Sequence, residues 1–246
     1  MSSNRSIAVT TGVMFIIATL GSLASTALTA SILGAPDYLA RIWANEGQFL
    51  LGAVFQLIGA VACPGIALAM YPVLKNHGVG FALASVGFRL IEGTLYVLIV
   101  VCLLLLVTVS HEAATAAAPA ASAYSVTAVM LLAARDWLGP VGAVLTFGLG
   151  AFMYYWVMYR SRLVPRWLSG WGLAGVTLLM VSGLLVMFRL AVPLGTAQAI
   201  LAIPIAVQEM VLAVWLIAKG FNPAAATAES ADGASRAAAL STASAT

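Results

Sequence analysis

The stretch that decides the fold class runs from Val86 to Val109 and reads VGFRLIEGTLYVLIVVCLLLLVTV. A membrane-spanning helix needs about 20 mainly apolar residues, and this stretch meets that length with two charged side chains, Arg89 and Glu92. Over the 246 residues of the chain, 63% are hydrophobic and 8% are charged, whereas about 25% are charged in an ordinary soluble domain. A soluble domain of this composition would lack a polar surface. The sequence therefore predicts a polytopic membrane protein.

We predict an all-α, polytopic transmembrane helix bundle with six spans, or seven as the alternative. The predicted spans are Ile7–Leu33, Phe49–Leu74, Phe81–Val109, Leu138–Tyr159, Trp167–Val192 and Ala197–Ala218. The apolar segment Ser122–Ala134 fits an interfacial helix, an early extension of span four or the seventh span. The first apolar run is about twice the 7–15 residues of a signal-peptide core, so we expect it to be retained. Residues 1–221 are expected to form one bundle, and residues 222–246, rich in Ala and Ser, a disordered tail.

Basic residues predict the orientation. The loops on the side of the N-terminus hold Arg5, Lys75, Arg160, Arg162, Arg166 and Lys219. The other side holds Arg41, Arg135 and Arg189. The positive-inside rule therefore predicts that both termini are cytoplasmic. The net charge of +3 is too small and too dispersed for a nucleic-acid partner.

Three ionisable residues are predicted to lie deep in the membrane. Counted from the cytoplasmic helix ends, Arg89, Glu92 and Glu209 have depths of roughly 12, 16 and 14 Å. On span three, Arg89 and Glu92 share one polar stripe with Ser85 and Tyr96. A charged residue at the helix centre costs roughly 2.5–3.5 kcal/mol, so these side chains should face inward and meet. We expect Arg89 to pair with Glu92 and Glu209 to carry a proton.

A second polar layer is predicted at the outer surface. It comprises Asn45, Glu46, Arg135, Asp136 and Arg189. Adjacent helical residues point about 100° apart, so Arg135 is expected to pair with Glu46, and Asp136 with Arg189.

Two glutamines, Gln48 and Gln56, connect the two layers along span two. Together the layers outline a polar cavity that is open to the outside and closed near mid-membrane. Ser22, Ser25, Thr26 and Thr29 of span one are interpreted as a helix contact.

Metal and cofactor chemistry is not indicated. His77 and His111 are single loop histidines on opposite sides, with no partner at ligand spacing. The chain has no HExxH, GxSxG or glycine-rich phosphate loop. We therefore expect neither a metal nor a cofactor.

Several runs resemble a known bacterial family. They are ANEGQFLLGAVFQL from Ala44, ALAMYPVLKNH from Ala67, VGFRLIEGTLYV from Val86, LLAARDWLG from Leu131, SRLVPRWLSGWGL from Ser161 and PIAVQEMVLAVWLIAKGFNP from Pro204. The family carries the label domain of unknown function four-three-eight-six. The resemblance implies a six- or seven-span bacterial inner-membrane protein and supplies no activity. It also implies that Asn45-Glu46, Arg89, Glu92, Arg135-Asp136 and Gln208-Glu209 belong to the family pattern.

The first functional hypothesis is a site for a small lipid-like or amphipathic ligand inside the bundle. If the protein is an enzyme, Glu92 or Glu209 is the general acid, and the candidate catalytic set is Glu209, Glu92, Arg89 and Asp136. The candidate ligand-binding residues are Glu46, Asn45, Gln56, Tyr96, Arg135 and Gln208. Two alternatives stay open: a small proton-coupled transporter that uses the same carboxylates, and a non-catalytic sensor or accessory protein whose charges only fix helix register. The expected partner is the lipid bilayer, and the sequence assigns neither an activity nor an oligomeric state.

Overall fold

The chain folds into a bundle of long helices. The computed structural model describes residues 3–226, apart from the side chains of residue 3 and of residues 118–122. The helices are α1 (Ser3–Leu33), α2 (Tyr38–Ala44), α3 (Glu46–Leu74), α4 (Val79–Thr115), α5 (Ala118–Trp137), α6 (Val144–Ser161), α7 (Arg166–Met187) and α8 (Thr196–Ala218). Within residues 3–226 there is no β-strand, and six helical segments are long and apolar enough to cross a membrane. The predicted all-α transmembrane class is confirmed.

The six spanning segments form a closed ring. Around it follow α1, α3, α4, α6, α7 and α8, and α8 returns to pack against α1. Since each helix neighbours the next in the chain, short connections suffice, as in up-and-down bundles. We call the end that carries Ser3 and Ala218 the terminal end, and the opposite end the distal end.

Glycine lies at the contact between each pair of neighbouring helices in the ring. At Gly175 of α7, an added Cβ would lie 3.0 Å from the backbone nitrogen of Ile205 in α8, and at Gly12 one would lie 2.6 Å from the carbonyl oxygen of Ala213. The other contacts contain Gly21, Gly93, Gly150 and Gly183. Lipid gives helices no hydrophobic reason to associate, so close packing of small residues holds such a ring together.

The fourth span is longer than the predicted Leu138–Tyr159. α5 continues through a π-helical segment, Leu138–Ala143, directly into α6, so Ser122–Ala134 belongs to the helix of the fourth span. Pro140 lies inside the π-helical segment. Proline lacks a backbone N–H and crowds the preceding turn, and a wider turn accommodates it.

The fifth span is shorter than predicted. α7 ends at Met187, not at Val192, because the chain turns there. Arg189 and Leu194 both adopt left-handed backbone conformations, with φ of 59° and 56°.

The helix α4 is much longer than the hydrocarbon core is thick. With 37 residues, α4 is about 56 Å long, whereas the hydrocarbon core is about 30 Å thick. Both α2 and α5 pack against α4, and the Ser110 hydroxyl donates a hydrogen bond of 2.7 Å to the Leu39 carbonyl.

The terminal half of the ring is filled by large side chains. Phe15, Met70, Tyr154, Tyr155 and Leu212 are all buried in this core. At its edge, the Asn222 backbone N–H donates to the Leu163 carbonyl at 2.8 Å. The remainder of the predicted tail, residues 227–246, lies outside the described residues.

Candidate functional site

The polar stripe of α4 faces the interior of the ring. Ser85, Arg89 and Glu92 are buried, and Tyr96 is half-buried. Arg89 and Glu92 are 1% and 2% exposed. The helical spacing of three and four residues places all four on one face, as the sequence predicts.

Arg89 is held by three contacts. Its Nη1 lies 2.9 Å from Oε2 of Glu92, and its Nε donates to the Cys63 carbonyl at 3.2 Å. Its guanidinium carbon lies 5.0 Å from the centre of the Phe147 ring, which is cation–π distance. A Cβ on Gly150 would lie 3.2 Å from Cγ of Arg89. The glycine therefore leaves the space through which the arginine stem passes between α4 and α6.

Beside this pair lies a tyrosine–amide network. The Tyr155 hydroxyl donates to Oε1 of Gln208 at 2.5 Å, and Nε2 of Gln208 donates to the Leu168 carbonyl at 3.0 Å. Both polar ends of the buried Gln208 amide are thus satisfied, as buried polar groups require. Gln208 ties α8 to α6 and α7.

Glu209 follows Gln208 in α8 and lies next to the same pair of tyrosines. The neighbouring Tyr154 hydroxyl lies 3.4 Å from Oε1 of Glu209, in donor geometry. The carboxyl group is within electrostatic range of Arg89 and Glu92. We call the buried Arg89 and Glu92 together with the half-buried Glu209 the buried charge layer. If all three side chains are ionised, its net charge is −1.

A cavity of about 320 Å³ lies in the distal half of the ring. Its lining includes three residues that the sequence analysis selected, Gln56, Tyr96 and Arg135. Tyr96 lies one helical turn from Glu92, so it connects the cavity wall to the stripe that carries the buried charge layer. Glu92, Glu209, Arg89 and Gln208 are not among the lining residues.

The cavity is lined by polar groups and by aliphatic side chains. Hydroxyl and amide groups come from α1, α3 and α8, namely Ser22, Ser25, Thr26, Thr29, Gln56 and Gln198. Aliphatic side chains complete it, namely Ile99, Leu103, Val144, Leu179, Leu194, Ala199 and Ala202. Such a lining suits a molecule with a polar group and an apolar body.

Some of these groups were not selected by sequence reasoning. The hydroxyls of α1 were expected only at a helix contact, and they also line the cavity. Gln198 donates from Nε2 to the Pro140 carbonyl at 3.0 Å and accepts from the Leu194 N–H at 2.9 Å. Gln198, a polar side chain near the start of a mainly apolar span, is the sequence feature from which this contact could have been predicted. The π-helical segment that supplies its partner has no such sequence signal.

The remaining distal residues form a separate cluster outside the cavity lining. Oε2 of Glu46 lies 2.9 Å from Nε2 of His111, whose ring packs edge-on against Trp43 at 4.2 Å between centroids. Asn45 donates from Nδ2 to the Arg41 carbonyl at 2.9 Å. Gln48, predicted to connect the polar layers, donates instead to the Leu28 carbonyl at 2.8 Å.

The predicted pairing of Arg135 and Asp136 with other spans is wrong. Nη1 of Arg135 lies 3.1 Å from Oδ1 of Asp136, because the long arginine side chain reaches around the helix to its neighbour. The carboxylate of Glu46, its predicted partner, contacts His111. Arg189 lies on the exposed turn after α7, and among the described residues it forms no ion pair with Asp136.

The family model described as "Domain of unknown function (DUF4386)" matches residues 10–220. The chain belongs to this family, as the resemblance predicted. No curated protein and no solved structure matches the chain. Within the described residues, no group of three His, Cys, Asp or Glu side chains could hold a metal ion.

Proposed function

We propose that this member of the DUF4386 family binds a small amphipathic or lipid-like molecule in the distal cavity. The observation that carries the proposal is that the cavity lining combines hydroxyl, amide and guanidinium groups with aliphatic side chains. Ligand sites are mostly apolar, with a few placed polar groups that fix orientation.

Arg135 is the cationic side chain in the cavity lining. It is 21% exposed, and its bond to Asp136 uses Nη1, so the other guanidinium nitrogens are free to donate to an anionic or strongly polar group. The hydroxyl oxygens of Thr26 and Thr29 already use their protons on the Ser22 and Ser25 carbonyls. They therefore offer acceptor lone pairs to the ligand.

The cavity volume limits the ligand. About 320 Å³ is near the lower end of the roughly 300–1,000 Å³ of small-molecule sites. A single-chain amphiphile fits such a volume better than an entire two-chain phospholipid. We therefore expect one acyl chain against the aliphatic side chains of the lining and the head group near Arg135.

A binding role is favoured over catalysis by the position of the carboxyl groups. A general acid must come within hydrogen-bond reach of the reacting atom, and Glu92, Glu209 and Asp136 are not part of the cavity lining. The buried charge layer instead lies in the half of the ring that large side chains fill, which supports a role in fixing helix register.

The second candidate is a proton-coupled transporter. It is favoured by one observation: the buried Arg89–Glu92 pair and the nearby Glu209 carboxyl group lie in one layer, and Tyr96 connects the stripe of this layer to the cavity. Intramembrane ionisable groups commonly serve as proton relays. In this role Glu209 would take up and release the proton while Glu92 stays paired.

The proposed location is the bacterial inner membrane with both termini in the cytoplasm. The terminal end of the bundle carries six loop cations and the distal end three, which supports this orientation under the positive-inside rule. The distal cavity would then open toward the outer face.

The binding proposal is tested with the full chain in phosphatidylcholine nanodiscs. The probes are decanoate, decanol and decyltrimethylammonium, which share a chain and differ in head-group charge. Equilibrium dialysis should show the tightest binding for decanoate. Arg135→Gln should weaken decanoate binding by about tenfold, because a hydrogen bond to a charged group contributes about 1.5 kcal/mol or more.

The matched control is Arg41→Gln, which removes a distal arginine that pairs with Asp37 on the surface. It should leave decanoate binding unchanged. Ala202→Phe, which fills the cavity, should abolish binding of all three probes. If Ala202→Phe binds them as the unmodified chain does, the ligand site is elsewhere.

A further inference from the structure

A second cavity lies at the terminal end, on the opposite side of the bundle from the proposed ligand site. It has a volume of about 550 Å³ and is formed by the α6–α7 connection and the end of α8. Its lining contains three exposed cations, Arg162, Arg166 and Lys219. We call these three side chains and the cavity they surround the terminal basic pocket. Among its described lining residues none is acidic.

The backbone of the terminal basic pocket is fixed by contacts. Arg162 adopts a left-handed conformation, with φ of 55°, which is uncommon for a residue other than glycine. Asn222 holds this turn, since its N–H donates to the Leu163 carbonyl at 2.8 Å and its Nδ2 donates to the Arg162 carbonyl at 3.4 Å. Arg162 is therefore presented by a defined turn, while Arg166 begins α7 and Lys219 follows the end of α8.

The base of the terminal basic pocket is apolar. Leu163, Val164 and Phe221 are buried beneath the cations. Trp215 lines the pocket and packs edge-on against Trp167 at 6.4 Å between ring centroids. Tryptophan is enriched where hydrocarbon meets head groups, so this pair places the pocket at the head-group level of a membrane.

We propose that the terminal basic pocket binds the phosphate of an anionic lipid head group, with the adjoining acyl chain against the tryptophans. Arginine and lysine complement phosphate charge, and arginine can donate two parallel hydrogen bonds to it. Basic pockets between membrane helices commonly bind anionic lipid head groups. The apolar base and the tryptophan pair favour a lipid over free phosphate. This inference is independent of the distal cavity.

The test uses the full chain in nanodiscs of phosphatidylcholine with a minor fraction of phosphatidylglycerol, and native mass spectrometry counts the phosphatidylglycerol retained. Each cation that contacts the bound head group is expected to contribute about fivefold to its affinity. Arg162→Gln with Arg166→Gln should therefore lower phosphatidylglycerol affinity about 25-fold. Lys219→Gln alone should lower the phosphatidylglycerol affinity about fivefold. This single variant provides the test if the double variant fails to fold.

The matched control is Arg160→Gln with Lys75→Gln. It removes the same charge from the same end, and both cations lie over aromatic rings outside the pocket, on Trp156 and Tyr71. The control should retain phosphatidylglycerol as the unmodified chain does. An equal loss in both double variants would mean attraction by general surface charge, and the proposal would be overturned.

Inorganic phosphate provides the second arm, added to protein in pure phosphatidylcholine nanodiscs. We expect no change in melting temperature with phosphate alone. Stabilisation by phosphate that disappears in Arg162→Gln with Arg166→Gln, together with unchanged phosphatidylglycerol retention, would assign the pocket to a soluble phosphate ligand and refute the lipid assignment.

Discussion

Replacing Glu92 by glutamine should destabilise the protein far more than the same change at Glu209. The Arg89 guanidinium has Glu92 as its carboxylate partner at 2.9 Å and is only 1% exposed. Glu92→Gln leaves this buried cation without a counter-charge. Glu209 contacts the Tyr154 hydroxyl, and an amide oxygen at this position can accept the same hydrogen bond.

The magnitude follows from burial. Breaking a buried ion pair by removing one partner costs about 3–5 kcal/mol. Arg89 keeps the Cys63 carbonyl and the Phe147 ring, so the lower end of that range applies. At about 2–4 °C per kcal/mol for a chain of this size, Glu92→Gln should lower the melting temperature by roughly 6–12 °C. Glu209→Gln removes no pairing of Arg89 and should change the melting temperature by less than about 3 °C.

The assay is thermal unfolding at neutral pH, followed by tryptophan fluorescence in one detergent for all variants. Glu112→Gln is the matched control, because Glu112 lies on the same helix, is exposed, and has a carboxylate that accepts a hydrogen bond of 3.4 Å from the Tyr124 hydroxyl. A drop for Glu209→Gln as large as that for Glu92→Gln would refute the assignment of Glu92 as the partner. If neither Glu92→Gln nor Glu209→Gln lowers the melting temperature, Arg89 depends on neither carboxylate.

Three other changes test the orientation and the packing. A reporter fused after Lys219 should be cytoplasmic and one inserted at Glu112 external, because basic loop residues concentrate at the terminal end; the reverse reading would contradict the orientation. Gly172→Ala should cost about 1–3 kcal/mol, since the new Cβ would lie 2.5 Å from the buried Tyr155 ring, and thermal unfolding measures it. Gln198→Leu leaves a buried carbonyl in the π-helical segment without its 3.0 Å donor and should lower stability by about 1–3 kcal/mol; an unchanged melting temperature would show that the segment adjusts without it.

Local spacing was sufficient to predict the buried stripe of α4. Ser85, Arg89, Glu92 and Tyr96 recur at three and four residues, and a charge facing lipid is too costly to occur on such a helix. Hydropathy and length likewise predict six spans, because both are properties of each segment alone.

Pairing between side chains of the distal end was less predictable. On an ideal helix the side chains of Arg135 and Asp136 point about 100° apart, which suggested that they would not pair. The arginine side chain has enough rotatable bonds to bring its Nη1 to 3.1 Å from Oδ1 of Asp136. Glu46 pairs with His111, which lies near the distal end of α4. Its position depends on how far that helix extends, which is a tertiary property.

The cavity itself was predictable only in outline. A polar face of serine and threonine on α1 fits a helix contact as well as a cavity wall, since both need small polar side chains. The difference depends on tertiary contacts, such as the hydrogen bond that the Pro140 carbonyl of the π-helical segment accepts from Gln198, where both residues line the cavity. No residue pattern in Leu138–Ala143 other than the proline itself indicates a π-helical turn.

The closed ring bears on the choice between binding and transport. The terminal half of the ring is packed with buried side chains such as Phe15, Tyr154 and Tyr155, and α8 packs closely against α1 at Gly12. A transported molecule would have to pass this packed half, and packed cores switch between discrete arrangements without deforming continuously. A binding protein needs no such rearrangement. Under the binding proposal, the buried charge layer would lock α4 against α3 and α6, and the distal half of the ring would hold the ligand.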